Sequence, residues 1–188
     1  MIDSSTYKQG HLIQALSNLV NLEMPEDYLS LFYRVVDEDD SVDLTDIHPR
    51  DRTNINLYVG RLVDIFHGGL EKKLLDLFPQ TLEFSKAFEG IIKIELIAIG
   101  PNSIIPLHLD DMSRPQFDTN NNWYSVFVGI RVPSEDASII GVKIDKEIYN
   151  HTYGKAIVFD TQIPHCAWNN SDKWWLSLRL SVLKEFFN

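Results

Sequence analysis

The sequence predicts an α+β protein in which helices precede a jelly-roll or barrel core. Apolar residues recur at helical spacing in the first 89 residues, whereas short runs rich in β-branched and aromatic residues follow one another from residue 90 onward. The segments between these runs carry turn-forming and polar residues without helical spacing, which favours antiparallel pairing. Because the helices are segregated before the strands, we expect them to pack on one outer face of the core.

Amphipathic helices are predicted in two parts of the N-terminal half. Apolar residues three and four apart run from Leu12 to Val20 and again from Leu57 to Leu77. Between them, Asp27 to Val36 predicts a short helix or strand. The polar, charged residues 37–54 predict a loop.

Five strands are predicted in the C-terminal half. They are the runs IIKIELIAI, WYSVFVGIRV, ASIIGVKI, KAIVFD and WWLSLRLSVL. Turn-forming segments such as GPNSIIP, PSEDAS and NHTYGK lie between them. No linker or repeat interrupts the sequence, so we expect one domain over residues 1–188, with a mainly helical part at 1–89 and the β core at 90–188.

Charge and composition disfavour several classes of partner. The 17 basic and 27 acidic side chains give a formal net charge of −10, which disfavours nucleic acid and anionic membrane surfaces. No apolar run approaches the roughly 20 residues that span a bilayer, and the N-terminus lacks the pattern of a secretion signal. A single cysteine, Cys166, is consistent with a reducing compartment. We therefore expect a cytoplasmic protein.

Three residues predict a metal site, which would also be the catalytic centre. His108 and Asp110 lie two apart in PLHLDD, so an extended chain directs both to one face. His165 follows the buried-looking run 156–159 and could meet them from a neighbouring strand end. Two histidines and one carboxylate hold Fe(II) in non-haem oxygenases and leave coordination positions open for a cosubstrate and O₂. Zn²⁺ suits the same donors, and the sequence leaves that choice open.

Each of these residues has a plainer interpretation when it is considered alone. A His-x-Asp pair occurs often by chance in surface turns, and a lone histidine is more often structural than ligating. We expect that structural role for His11, His48, His67 and His151. The context favours the metal site, because the pair opens the β-rich half after a Gly-Pro turn and His165 lies near its end.

The segments around both histidines resemble a known family. GKAIVFDTQIPHCAWNNSD resembles the distal-histidine segment of the aspartyl/asparaginyl β-hydroxylase family, with Phe159, Asp160, His165 and Trp168 at the motif positions. IGPNSIIPLHLD resembles the family's proximal-histidine turn, and VFVGIRVP resembles the strand after it. The resemblance covers roughly residues 90 to 183. It implies a cupin-like double-stranded β-helix that uses Fe(II), with 2-oxoglutarate and O₂ as cosubstrates, to hydroxylate an unactivated carbon.

The chain departs from the family pattern at the cosubstrate site. The family has a small residue at the position of Asp110, two basic residues where this chain has Ser125 and Phe127, and an arginine at Trp175. Arg179 lies four residues beyond Trp175 on the same strand face, and a guanidinium suits a carboxylate. We expect Arg179 to bind 2-oxoglutarate, with Ser125 and Trp175 as further cosubstrate residues. The alternative is that Arg179 faces solvent or pairs with an internal acidic residue.

Substrate-binding residues are expected around the mouth of the barrel. The candidates are Arg114, Gln116, Trp123, Arg131 and Trp168. A long polar loop after a metal ligand suits a substrate lid, although the loop could equally have no role. With no separate peptide-binding domain evident, an amino acid or its derivative is favoured over a protein or peptide. Two alternatives stay open, namely a cupin-type metalloenzyme that does not use 2-oxoglutarate and a non-catalytic β-barrel binding protein.

Overall fold

Two antiparallel sheets face each other in the computed structural model, which describes residues 6–34, 57–64, 76–110 and 122–187. The strands are β1 (Tyr33–Arg34), β2 (Leu57–Asp64), β3 (Ile91–Ile99), β4 (Ser103–His108), β5 (Trp123–Arg131), β6 (Ile140–Ile144), β7 (Glu147–Asn150), β8 (Ala156–Phe159), β9 (His165–Asn169) and β10 (Trp175–Leu183). The helices are α1 (Ile13–Glu23) and α2 (Pro79–Ser85), with 3₁₀ turns at Gly10–Leu12, Tyr28–Leu31 and Lys184–Phe186.

The strand order is that of a double-stranded β-helix. The six-stranded major sheet has the order β1-β2-β3-β10-β5-β8, and the four-stranded minor sheet has the order β4-β9-β6-β7. Of the last eight strands, four belong to the major sheet (β3, β5, β8 and β10) and four to the minor sheet (β4, β6, β7 and β9), and β1 and β2 extend the major sheet beside β3. The predicted α+β class with a barrel core is therefore confirmed.

The N-terminal helix is confirmed where the apolar spacing predicted it. Helix α1 packs against β5 and α2, and its buried side chains are Ile13, Leu16, Ser17 and Val20. The carboxylate of Glu23, at the end of α1, accepts hydrogen bonds from the backbone N–H groups of Gln80 and Thr81 at 2.7 and 2.9 Å. An anion at a helix N-terminus is stabilising, so this contact fixes α2 to α1.

The helix predicted from Leu57 to Leu77 is wrong for residues 57–64. Residues 57–64 form β2, which pairs with β3 over its whole length. Leu57 and Val59 are both buried between the two sheets, at the two-residue spacing of a strand. Apolar spacing alone could not decide between the two structures, because pairing with the distant strand β3 supplies the hydrogen bonds. Residues 65–75 and the loop predicted at 37–54 lie outside the described residues.

All five strands predicted after residue 90 are present, and three short ones were not predicted. The observed β3, β5, β6, β8 and β10 lie within the five predicted runs. The additional strands β4, β7 and β9 all belong to the minor sheet, and two of them fall partly on predicted turns. Their sequences include proline, asparagine and glutamate, which have low strand propensity, so their pairing depends on neighbouring strands.

Each face of the major sheet packs against a different partner. One face packs on the helices, and β10 contributes Leu176, Leu178, Leu180 and Val182 to it. The alternate residues of β10 face the minor sheet, and they are Trp175, Ser177, Arg179 and Ser181. No helix in the described part of the chain is long and apolar enough to cross a membrane.

Candidate metal centre

The structure brings the three predicted metal ligands together. His108 at the end of β4 and His165 at the start of β9 are direct partners in the minor sheet, with ring centroids 4.3 Å apart. Asp110 follows β4, and its Oδ1 atom lies 3.6 Å from His108 Nε2 and 3.7 Å from His165 Nε2. One donor atom from each of the three residues lies within 4.8 Å of the other two.

An irregularity in β4 directs His108 into the barrel. The register with β9 shifts between Ile105 and His108, and Pro106 lies in this interval. Proline has no N–H for the ladder, so a break in pairing at this position is expected. Beyond it, Leu107 and Leu109 are 63% and 49% exposed, which confirms that they point away from the face of His108.

A turn before β9 joins Asp110 to His165. The N–H group of Asp110 donates to the carbonyl of Thr161 at 3.2 Å, and Gln162 Nε2 donates to the carbonyl of Asp110 at 3.2 Å. Asp160 Oδ1 accepts the Gln162 N–H at 3.0 Å. Lys184 holds the other oxygen of Asp160 at 2.6 Å. The family motif residue Asp160 therefore shapes the turn that delivers His165.

Both histidine rings have Nε2 available as a ligand. Nδ1 of His108 lies 2.7 Å from the carbonyl oxygen of Pro106, and Nδ1 of His165 lies 2.9 Å from that of Ile163. A carbonyl oxygen can only accept a hydrogen bond, so Nδ1 carries the proton in each ring. In the neutral rings the lone pair is on Nε2, the atom nearest Asp110, as in histidines that bind metals.

The converging donors suit a divalent cation. Bonds of about 2.1 Å would place donor atoms about 3 Å apart at octahedral angles and about 3.4 Å apart at tetrahedral angles. The observed separations of 3.6 and 3.7 Å exceed the octahedral value by about 0.6 to 0.7 Å and the tetrahedral value by about 0.2 to 0.3 Å, so a contraction of that size would bring the donors to bonding geometry. Two nitrogen lone pairs and a carboxylate oxygen repel one another, and a bound cation would turn that repulsion into attraction.

The protonation states also favour metal binding. Burial lowers the pKa of His165, which favours the neutral ring. Burial alone would raise the pKa of Asp110, but the neighbouring His108 and the charge of Arg179 outweigh it and hold that pKa well below its usual range. Near neutral pH, Asp110 is therefore a carboxylate and His165 is a neutral imidazole.

A line of alternating charges leads from the major sheet to Asp110. Arg179 Nε and Nη2 donate to Glu95 Oε2 at 2.9 and 2.5 Å, and Lys93 Nζ lies 2.6 Å from Glu95 Oε1. On its other side, Arg179 Nη1 lies 3.7 Å from Asp110 Oδ2, which is longer than a hydrogen bond. Arg179 is therefore paired with an internal acidic residue, which is the alternative that the sequence left open.

Glu95 and Lys93 were missed by the sequence reasoning. They lie two apart in the otherwise apolar run IIKIELIAI, on the face of β3 that pairs with Arg179 and Ser181. Burial would raise the pKa of Glu95, but the charges of Arg179 and Lys93 outweigh it and lower this pKa to about 2. Two charged residues at strand spacing within an apolar strand were the signal that could have found them.

The other predicted cosubstrate residues face the barrel interior at different depths. Ser125 is fully buried two residues from Phe127, the β5 partner of Arg179, and its hydroxyl has no hydrogen-bond partner among the described residues. Trp175 is fully buried further along β10, where its ring packs against Phe127 and His151 with centroids 5.7 and 5.3 Å apart. Trp175 therefore lies in the apolar interior and Ser125 beside the charged line.

Of the predicted substrate residues, Arg131 and Trp168 lie away from the triad. Arg131 lies at the helical side, where Nε donates to Asn21 of α1 at 3.2 Å and the guanidinium lies 5.5 Å from the centre of the Tyr28 ring. Trp123 is buried at the start of β5. Arg114 and Gln116 lie outside the described residues.

Trp168 lies on the outer face of the minor sheet, opposite to His165. Its side chain alternates with the buried residues of β9, and its Nε1 donates to the carbonyl of Ala137 at 2.9 Å. The ring covers Gly141, where a Cβ atom would come within 2.2 Å of it. The following residue, Asn169, donates from Nδ2 to the carbonyls of Gly100 and Lys173 at 2.9 and 2.8 Å. Trp168 and Asn169 therefore both have structural contacts here.

Comparison with solved structures agrees with this fold. A prolyl-4-hydroxylase from Pseudomonas putida aligns with a TM-score of 0.50 at 15% identity, over 95% of this chain and 89% of that one. A 2OG-Fe(II) oxygenase family oxidoreductase from Burkholderia pseudomallei aligns with a TM-score of 0.46 at 16% identity, over 69% and 67% of the two chains. At 15% identity the likeness to the prolyl-4-hydroxylase concerns the fold alone.

The family itself is identified by a sequence model. No curated protein matches the chain. The model of the family described as aspartyl/asparaginyl beta-hydroxylase matches residues 65–184, which is more than half of the chain and includes all three clustered donors. The chain belongs to the aspartyl/asparaginyl β-hydroxylase family.

Proposed function

We propose that the protein is a non-haem Fe(II), 2-oxoglutarate-dependent oxygenase that hydroxylates an amino acid, an amino-acid derivative or a peptide side chain. The observation that carries the proposal is the donor set, because two Nε2 lone pairs and one carboxylate converge within 4.8 Å. This set occupies one side of a metal ion and leaves the opposite positions open. Membership of a hydroxylase family points to the same chemistry.

The bound metal and cosubstrate would supply the oxidising chemistry: 2-oxoglutarate and O₂ yield succinate and CO₂, with one oxygen atom inserted into a C–H bond of the substrate. The chain's own residues do the rest. The carbonyls of Pro106 and Ile163 fix the tautomers of the two histidines. The turn that binds the backbone of Asp110 fixes the distance between the two strand ends.

Arg179 is the residue we propose for the distal carboxylate of 2-oxoglutarate. The Arg179 side chain is 24% exposed and lies beside Asp110, on the barrel-facing side of the major sheet. Its Nη1 atom is 3.7 Å from Asp110 Oδ2, so this end of the guanidinium faces the candidate metal centre. A guanidinium suits bidentate binding of a carboxylate. The buried hydroxyl of Ser125 would be a second donor on the same face.

For the substrate, we propose a small molecule ahead of a protein or peptide. The formal net charge of −10 does not suit nucleic acid or an anionic membrane surface. An amino acid or an amino-acid derivative fits the hydroxylase family to which the chain belongs.

The test is 2-oxoglutarate turnover by protein loaded with Fe(II) under anaerobic conditions and then exposed to O₂. We expect succinate to form, slowly without a substrate and faster when a hydroxylatable amino acid is added. His108→Ala and His165→Ala proteins are expected to form none. If the loaded protein neither forms succinate nor binds 2-oxoglutarate in calorimetry, the oxygenase proposal is wrong.

A cupin-type metalloenzyme that does not use 2-oxoglutarate is the second candidate. The ion pair between Glu95 and Arg179 favours this candidate, because two nitrogens of the Arg179 guanidinium already donate hydrogen bonds to one oxygen of Glu95. Metal binding without 2-oxoglutarate binding would support this candidate. A protein that binds no divalent metal would instead support a non-catalytic β-barrel.

A further inference from the structure

Arg179 lies between two carboxylates that compete for it. Glu95 holds the Nε and Nη2 edge at 2.9 and 2.5 Å, whereas Asp110 is 3.7 Å from Nη1. Charge-assisted hydrogen bonds between a guanidinium and a carboxylate are about 2.7 to 2.9 Å long. Arg179 is therefore hydrogen-bonded to Glu95 and stops about one ångström short of such a bond with Asp110.

Arg179 and a bound metal ion would in turn compete for the carboxylate of Asp110. A direct ion pair with Arg179 would compete with a metal for the same carboxylate, because both partners are cations that gain from its negative charge. Neither Arg179 nor Asp110 is fully enclosed, at 24% and 18% exposed, so a closer approach is not blocked by burial of either side chain. Glu95, at 2% exposed and paired with Lys93, is the more deeply buried of the two carboxylates.

We propose that Glu95 is a positioning residue that restrains Arg179 from closing on Asp110 and so keeps the Asp110 carboxylate available to the metal. The proposal rests on the metal part of the proposed function and is independent of 2-oxoglutarate. Glu95 acts through Arg179, and it touches none of the reacting groups itself.

The experiment is a double-mutant cycle on metal affinity, read by calorimetry with cobalt(II) as an air-stable divalent probe. Glu95→Gln removes the charge that holds Arg179 and is expected to weaken cobalt binding about 10-fold, the lower end of the range for outer partners of metal ligands. Arg179→Gln is expected to bind cobalt at least as tightly as the wild type. In the Glu95→Gln/Arg179→Gln protein the weakening should disappear, because no guanidinium remains to compete.

This rescue separates restraint from other roles of Glu95. A purely electrostatic or structural effect would weaken binding equally with and without Arg179, and such additivity would overturn the proposal. Lys93→Gln provides a second check, since it leaves Glu95 to Arg179 and should not weaken cobalt binding. If Lys93→Gln binds cobalt more weakly than the wild type while its melting temperature is unchanged, the proposal is also overturned.

Glu147→Gln is the matched control, because Glu147 is exposed on β7 and its carboxylate accepts a hydrogen bond from the Tyr149 hydroxyl. It should bind cobalt as the wild type does. A wild-type protein that takes up no cobalt would overturn the metal centre itself. If the wild-type protein binds cobalt but the double variant does not regain the wild-type affinity, only the proposed role of Glu95 is overturned.

Discussion

The two faces of strand β10 contact different parts of the molecule and differ in chemistry. On the helical side, Leu176, Leu178, Leu180 and Val182 are all fully buried. On the barrel side, Ser177, Arg179 and Ser181 alternate with them, and Arg179 lies between the buried Glu95 and the candidate metal ligand Asp110. Burying a charged pair on the barrel side costs desolvation free energy, which a buried apolar residue would not. One face of β10 therefore stabilises the fold, and the other contributes to the candidate site.

Loss of a histidine ligand is the largest expected effect and acts on the barrel side alone. His165→Ala should weaken divalent metal binding by about 1,000-fold, which is about 4 kcal/mol, because one of three donors is removed. Calorimetry with cobalt(II) measures it. His151→Gln is the control, since His151 is also buried but donates from Nε2 to the carbonyl of Phe127 at 3.2 Å. Equal metal affinity of His165→Ala and wild type would remove the site.

The helical side is tested by a pair of neighbouring substitutions. Leu178→Ala should lower the free energy of unfolding by about 4 kcal/mol, because the side chain is fully buried and leaves a cavity. Ser177→Ala should change it by less than about 1 kcal/mol or raise it, since the buried Ser177 hydroxyl has no hydrogen-bond partner in the described part of the chain. Urea unfolding of the metal-free proteins gives both values. A larger loss for Ser177→Ala than for Leu178→Ala would contradict the division of roles.

The deep end of the barrel should be sensitive to acid. Burial lowers the pKa of His151 from 6.5 to about 4, so the unfolded chain binds the proton more tightly than the folded one. Stability from this residue is present above pH 6.5 and is lost as the pH falls toward 4, by about 3 kcal/mol. His151→Gln should lose less stability over that window.

Urea unfolding at several pH values measures the difference. His11→Gln serves as the control, because His11 is exposed and the variant should follow the wild-type profile. An unchanged pH profile in His151→Gln would show that another group is responsible for the acid sensitivity.

The smallest expected effect is on the outer face of the minor sheet. Trp168→Phe removes the hydrogen bond from Nε1 to the carbonyl of Ala137 and should cost about 1 kcal/mol of unfolding free energy. Metal and 2-oxoglutarate affinities should stay at wild-type values, because the ring lies opposite to His165. A several-fold loss of substrate affinity without a loss of stability would restore the predicted substrate role of Trp168.

Prediction from the sequence succeeded where information is local. The five strongly apolar runs form strands, and the two-residue spacing of His108 and Asp110 directs both toward His165. Prediction failed at Leu57, where pairing with β3 outweighs helical spacing, and at Arg131, which lies beside α1. The extent of a single domain over residues 1–188 and the identity of the substrate stay predictions.

The sequence by itself determined the class of fold, the three candidate ligands and the face of β10 that carries Arg179, because strand periodicity fixes which side chains share a face. Only the tertiary structure decided what Arg179 meets. Glu95 lies on a different strand, far away in the chain, and its contact with Arg179 depends on the register between β3 and β10. Such registers are set by the packing of whole sheets, which no local pattern encodes.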